Sequence, residues 1–213
     1  VPTVSKHATT NLMILEVLPL LLLRIFLHPC IIPVHEREGL PVKTAGKAKT
    51  KIALIGFMAS GKSTIGKLLA KKIGYSFVDL DTLIEEYAGM SIPDIFSREG
   101  EEAFRRYESI CLSRLKDGER VVIATGGGAP ITRENRPFFT DEAYTFFLEV
   151  PLAEVLKRTE GSDNRPLLKM PKARIEELYR MRLPIYRSLG HPIQTVGKTP
   201  LEIADEIAAF ISR

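Results

Sequence analysis

Cysteine is scarce in this chain. Cys30 and Cys111 stand far apart, in no CxxC pair and beside no histidine at metal-ligand spacing. That excludes a disulfide framework and points to a reducing compartment, with Cys111 read as a small apolar residue on a helix face. Histidine is sparse too: of the four, His7, His28 and His35 fall in the first fifty residues, and no metal cluster can be built from what remains. No internal repeat and no low-complexity tract interrupts the sequence. An excess of one charge is also missing once the total of +4 is divided along the chain. Residues 1–50 hold six basic and three acidic side chains, which leaves 24 basic against 23 acidic from residue 51 onward. A polyanion-binding protein shows a strongly basic face, so a nucleic-acid partner is not expected. What is present, 45% apolar and 26% charged residues in 213, suits a soluble globular domain of ordinary size with an appendage.

The appendage is residues 1–50. From Asn11 to Val34 it is strongly apolar, but Glu16, Pro19, Arg24 and His28 interrupt the run. A spanning helix needs about 20 mostly uninterrupted apolar residues, so a membrane span is disfavoured. A secretory signal fits poorly because no small-residue cleavage site follows. We read the segment as upstream sequence translated from a misplaced start, with Val42 as an expected true start, or else as disordered. Pro41 to Thr50, rich in Lys, Gly and Ala, reads as a solvated lead-in.

The domain proper begins with Lys51–Ile55 (KIALI), a short apolar strand, followed directly by GFMASGKS from Gly56 to Ser63. This matches GxxxxGK[ST] in full. Ile65, Leu68, Leu69 and Ile73 then recur at helical spacing, giving the strand, loop and helix order that a phosphate loop requires. Backbone N–H groups can wrap a triphosphate where Gly56 and Gly61 permit unusual dihedrals and close approach. The helix start adds its positive end. Gly56, Ala59, Ser60, Gly61, Lys62, Ser63 and Thr64 are therefore the expected nucleotide-binding residues. Lys62 reaches the β- and γ-phosphates, and the Ser63 hydroxyl holds Mg²⁺. Four further strands are predicted, at Tyr75–Val78, Arg120–Thr125, Tyr144–Val150 and Pro192–Val196. Helices alternate with them at Glu99–Leu115, Pro151–Arg158, Lys172–Arg187 and Leu201–Ile211. That alternation predicts an α/β fold: a central five-stranded parallel sheet in a three-layer α/β/α sandwich, with ligands at the carboxyl ends of the strands.

Several motifs lie at those ends. Asp79 and Asp81 (VDLD) are two apart, so in extended chain both carboxylates face one way. The competing reading is that Asp81 caps the helix TLIEEY. Arg105 and Glu108 sit in FRRYE, where Glu101 with Arg105 and Glu102 with Arg106 also form the i, i+4 pattern of an ordinary solvated helix face. Phe104, Tyr107, Cys111 and Leu115 make the apolar stripe that would fix that helix. Gly126, Gly127 and Gly128 either let backbone N–H groups approach a small polar ligand or form a flexible turn. Arg182 in RLPIY lies on a helical pattern ending near Pro184, and alone it would read as surface charge. The polar stretch TEGSDN before RPLL reads as a mobile lid over about residues 159–169, or as a plain exposed loop.

Taken in order, VDLD, SIPDIFSREGEEAFRRYE, ATGGGAP, RTEGSDNRPLL and RLPIY resemble shikimate kinase, and the resemblance spans Lys51 to Arg213. It implies that Asp79 helps to position Mg²⁺ and that Asp81 binds the acceptor hydroxyl and takes its proton. Arg105, selected over Arg106 because it follows Phe104 directly, would grip the shikimate carboxylate together with Arg182. The glycines would lie beside the substrate, the lid arginine Arg165 would approach the transferring phosphate, and Arg158 would lie near the adenine. The implied protein is a monomeric cytoplasmic kinase using ATP and Mg²⁺. A gluconate kinase shares the phosphate loop and size but does not need the FRRYE and GGG combination. A hydrolysing regulatory switch would lack any use for the acceptor residues, and no NKxD-type motif is present.

Overall fold

The computed structural model describes residues 49–159 and 171–212. The expectations for residues 1–48 and for the lid from residue 160 onward, Arg165 among them, lie outside the described residues. Five strands form one sheet: β1 (Lys51–Ile55), β2 (Ser76–Asp79), β3 (Val121–Ala124), β4 (Ala143–Glu149) and β5 (His191–Gln194). Their order is β2-β3-β1-β4-β5 and every pairing is parallel. The predicted strands all form, with ends displaced by one or two residues.

Alternation along β1 assigns its side chains to two faces. Ala53 and Ile55 point to a core shared with Val121, Ile123 and Phe147, while Ile52 and Leu54 join Val122, Phe146 and Leu148 on the other side. Both faces are apolar because helices cover both, as a parallel sheet requires. On the second face lie α1 (Lys62–Ile73) and α7 (Pro200–Ile211), with Ile65, Leu69, Ile203 and Ile207 buried between helix and sheet. On the first face lie α2 (Leu80–Ala88), α3 (Ile92–Arg98), α4 (Gly100–Arg114), α5 (Leu152–Thr159) and α6 (Lys172–Leu189). They contribute Leu80, Ile84, Ile95, Phe104, Cys111, Val155, Ile175 and Tyr186 to that core.

Local chemistry sets the helix ends. Ser91 caps α3 through Asp94 N, and Thr199 with Glu202 forms a complete capping box on α7. Two local readings are decided here. The cap of α2 is Asp79, whose carboxylate accepts from Asp81 N at 3.1 Å, so Asp81 is not the cap but a first-turn residue. The predicted helix Lys172–Arg187 forms as α6 and runs through Pro184 to Leu189, so the pattern that carries Arg182 does not stop at the proline. An interior proline costs a helix about 3 kcal/mol. Here Tyr186, two residues beyond, is buried and stacked on Phe147 with centroids 5.4 Å apart, and that packing carries the helix onward.

Candidate active site

Since β1 is central and the chain passes from β3 on one side of it to β4 on the other, the carboxyl ends of β1, β2 and β3 open on one crevice. Each carries a motif. After β1 the phosphate loop turns through Gly56 at φ +148°, Ala59 at φ +57° and Gly61 at φ +88°. A Cβ on Gly56 would stand 2.9 Å from the Leu148 carbonyl, which explains the glycine there. Ala59 holds a left-handed conformation costly for a residue with a Cβ, strain of the kind that collects at functional loops. Ser60 is buried, and Lys62 Nζ lies within bonding distance of Gly56 O (2.9 Å), Phe57 O (2.9 Å) and Ser60 Oγ (3.2 Å). The first turn of α1 contains no acidic residue, so its positive end is left for an anion. Ser63 and Thr64 are exposed on that turn. Arg158, on α5, donates from Nη1 to Ala59 O at 3.3 Å while its Nε pairs with Glu154, so it stands against the loop backbone.

At the end of β2, Ser63 Oγ donates to Asp79 Oδ2 at 2.6 Å. One hydroxyl and one carboxylate thus present hard oxygens side by side next to the loop, the donor type that suits Mg²⁺. Asp79 serves both this contact and the cap of α2. That cap directs Asp81 into the same crevice by way of a helical turn, not by strand alternation. Burial raises the Asp81 carboxyl above the ordinary carboxylate range and Asp79 adds to the rise, against the pull of Lys62 and Arg105.

The glycine run after β3 is pressed by side chains on three sides. A Cβ on Gly126 would meet Asp81 Oδ1 at 2.7 Å, one on Gly127 would meet Arg182 Nη1 at 3.5 Å, and one on Gly128 would meet Arg105 Nη2 at 2.7 Å. A Cβ at Gly126 or Gly128 would require the Asp81 carboxylate or the Arg105 guanidinium to move aside. Asp81, Arg105 and Arg182 are thereby gathered around three consecutive residues.

Arg105 makes two carboxylate contacts from one guanidinium. Its Nη2 donates to Glu101 at 3.1 Å, as on a solvated face, while its Nη1 donates to Glu108 Oε2 at 3.0 Å. Arg106, by contrast, pairs with the exposed Glu102. Glu108 is fully buried within the apolar stripe of α4. Its Oε1 has no hydrogen-bond partner among the described residues and faces Gly126. Burial pushes the Glu108 carboxyl up to about 7, with Asp81 reinforcing the rise and Arg105 and Arg182 opposing it. Sequence reading named Glu108 but gave it no role, because a charged residue inside a helix stripe looks solvated until the sheet above it is in place.

A pH dependence follows from that carboxyl. Its folded value lies above the unfolded 4.5, so the folded chain binds the proton more tightly. The stability this supplies is complete below about pH 4.5 and is lost as pH rises through about 7, with an upper bound of about 3 kcal/mol. Urea midpoints taken from about pH 4 to about pH 8 should fall more steeply with rising pH in the parent chain than in Glu108→Gln. Parallel curves would show that Glu108 stays charged throughout.

Tyr186 was missed by sequence reading. It follows Arg182 by four residues on the same face of α6, a spacing the sequence displays, and its hydroxyl donates to Gly127 O at 2.6 Å. Burial pushes its hydroxyl up to about 12, so it stays a donor at any working pH.

Comparison with known proteins agrees with this geometry. The family model for shikimate kinase matches residues 58–212. The shikimate kinase of Persephonella marina is 43% identical over 160 residues, covering 75% of this chain and 98% of that protein. That of Thermodesulfovibrio yellowstonii is 42% identical over 158 residues, covering 73% and 91%. Among solved structures, the Acinetobacter baumannii shikimate kinase in complex with shikimate superposes with a TM-score of 0.72 at 36% identity, covering 76% of this chain and 92% of that one. The Aquifex aeolicus enzyme gives a TM-score of 0.67 at 39% identity, covering 75% and 94%. Matched along its domain in sequence and superposable in fold, this chain belongs to the shikimate kinase family.

Proposed function

We propose that the chain transfers the γ-phosphoryl group of MgATP to the ring 3-hydroxyl of shikimate, giving shikimate 3-phosphate and ADP. The observation that carries this reading is the meeting, at one edge of the sheet, of a phosphate loop with one carboxylate and two guanidinium groups. A triphosphate would lie along the N–H groups from Gly56 to Thr64 with Lys62 reaching its outer phosphates. Arg105 and Arg182 would take the shikimate carboxylate, the one anionic group of the acceptor, through forked hydrogen bonds. Asp81 would accept the 3-hydroxyl proton as the new oxygen–phosphorus bond forms and the bond to the bridging oxygen breaks, the electron pair leaving on ADP. Its raised affinity for a proton suits that role. Mg²⁺, which would be held by Ser63 and Asp79, neutralises phosphate charge when bound with the nucleotide. Arg165 at the transferring phosphate, Arg158 near the adenine and a closing lid over residues 159–169 complete the proposal on family resemblance. A monomer working in the cytoplasm belongs to the same proposal; among the described residues no helix is long and apolar enough to cross a membrane.

The test is ADP release by purified protein with ATP and Mg²⁺, with shikimate added, omitted or replaced by gluconate, and with the cation chelated. Release should require shikimate and Mg²⁺ together. Equal release with gluconate would reassign the acceptor, and release with no acceptor at all would make the protein a hydrolase.

A further inference from the structure

We infer that the Tyr186 hydroxyl is a positioning group for the acceptor site: by holding the Gly127 carbonyl it fixes the direction in which the Gly128 N–H is offered to the acceptor. The inference rests on the shikimate reading above. A peptide unit is planar, and no cis bond occurs among the described residues, so a carbonyl and the N–H that follows it point opposite ways. Fastening Gly127 O to Tyr186 Oη at 2.6 Å therefore aims the Gly128 N–H away from α6.

Among the described residues no other hydrogen bond does this. Gly126 O accepts from Ala129 N at 3.2 Å and Gly128 O from Ile131 N at 2.8 Å, but the N–H groups of Gly127 and Gly128 have no hydrogen-bond partner among the described residues. Three glycines in a row carry no Cβ to restrict their dihedrals, so an outside tether must select one peptide orientation. The tether is itself rigid: Tyr186 is 1% exposed and its ring is stacked on Phe147 of β4. It is also well placed. Around the point where a Cβ of Gly127 would stand lie Arg182 Nη1 at 3.5 Å, Gly56 O at 3.5 Å and Tyr186 Oη at 3.6 Å. The hydroxyl thus joins the helix that carries Arg182 to the glycine run, with Gly56 O of the phosphate loop beside the same glycine. Core packing alone would be served by phenylalanine, and the buried hydroxyl requires a partner that this loop supplies.

The experiment compares Tyr186→Phe with Tyr179→Phe. Tyr179 lies on the same helix, and its hydroxyl donates to Val150 O at 2.9 Å, away from the glycines. Tyr186→Phe should raise the KM for shikimate about tenfold and leave the KM for MgATP within about twofold, whereas Tyr179→Phe should lower the thermal midpoint without separating the two constants. An unchanged shikimate KM in Tyr186→Phe, or an equal rise in both constants, overturns the inference. Should Tyr186→Phe not fold, Tyr186→Met, which fills similar space without a hydroxyl, is read by the same ratio. Absence of shikimate-dependent ADP release in the parent chain would instead overturn the functional reading, so the two failures are distinct.

Discussion

Asp81→Asn should lower kcat by at least about a hundredfold while leaving the Kd for ATP nearly unchanged, since a positioned proton acceptor contributes about 10²–10⁴ to a rate. Asparagine preserves size and can still accept a hydrogen bond through its amide oxygen, but it cannot take the proton that the acceptor oxygen must release. The change is local. Asp81 contributes neither the cap of α2, which is Asp79, nor a contact to Ser63, so fold and loop stay in place. Calorimetric titration with a non-hydrolysable ATP analogue checks the first half of the expectation and turnover the second. Near-normal turnover would remove Asp81 from its role, and lost nucleotide binding would show that its charge supports the loop.

Arg105→Ala should remove activity and stability together, and the two losses can be separated. With the guanidinium gone the proposed clamp on the shikimate carboxylate would lose one of its two arms, which should cost about a hundredfold or more in kcat/KM. The same change strips fully buried Glu108 of its hydrogen-bonded cation. Breaking a buried pair by deleting one partner costs about 3–5 kcal/mol when the survivor stays charged. Because Glu108 already titrates near 7 and loses a charge that lowers it, it will take a proton instead; the stability loss should therefore grow as pH rises. The double variant Arg105→Ala with Glu108→Gln leaves no buried charge. It should recover most of the thermal midpoint and none of the shikimate affinity, a non-additivity that a double-mutant cycle reads directly. Recovery of both would mean that Arg105 serves folding alone.

The phosphate loop was legible because its chemistry is local. Gly56 and Gly61 act through backbone shape and Lys62 and Ser63 through side chains a few residues away, between a short apolar strand and a helix of clear period. The parallel sheet was legible for the same reason. Arg105 and Arg182 were singled out through resemblance, since their place beside Gly127 and Gly128 cannot be read from a helical pattern. Asp79 and Asp81 were paired through strand alternation, a reason that the chain does not use: the strand ends at Asp79 and Asp81 lies in the helical turn that follows. The helix over Lys172–Arg187 was legible despite Pro184, and the burial of Tyr186 beyond the proline is what lets it continue. The short helix Ile92–Arg98 was read as part of a motif without its structure, although Ser91 and Asp94 form a cap that could have announced it. Glu108 and Tyr186 could not have been assigned, because what matters about each is the atom it meets across the fold.

The division of side chains along β1 has one more consequence. The residues proposed to read the acid, Asp81, Arg105 and Arg182, ride on helices packed against one surface of the sheet, while α1, which opens on the triphosphate, is seated with α7 against the other. The sheet is in this sense a party wall between two tenants. A lineage that needed to phosphorylate a different alcohol could refurnish one side of it, and the grip on the phosphate donor would keep its own foundations.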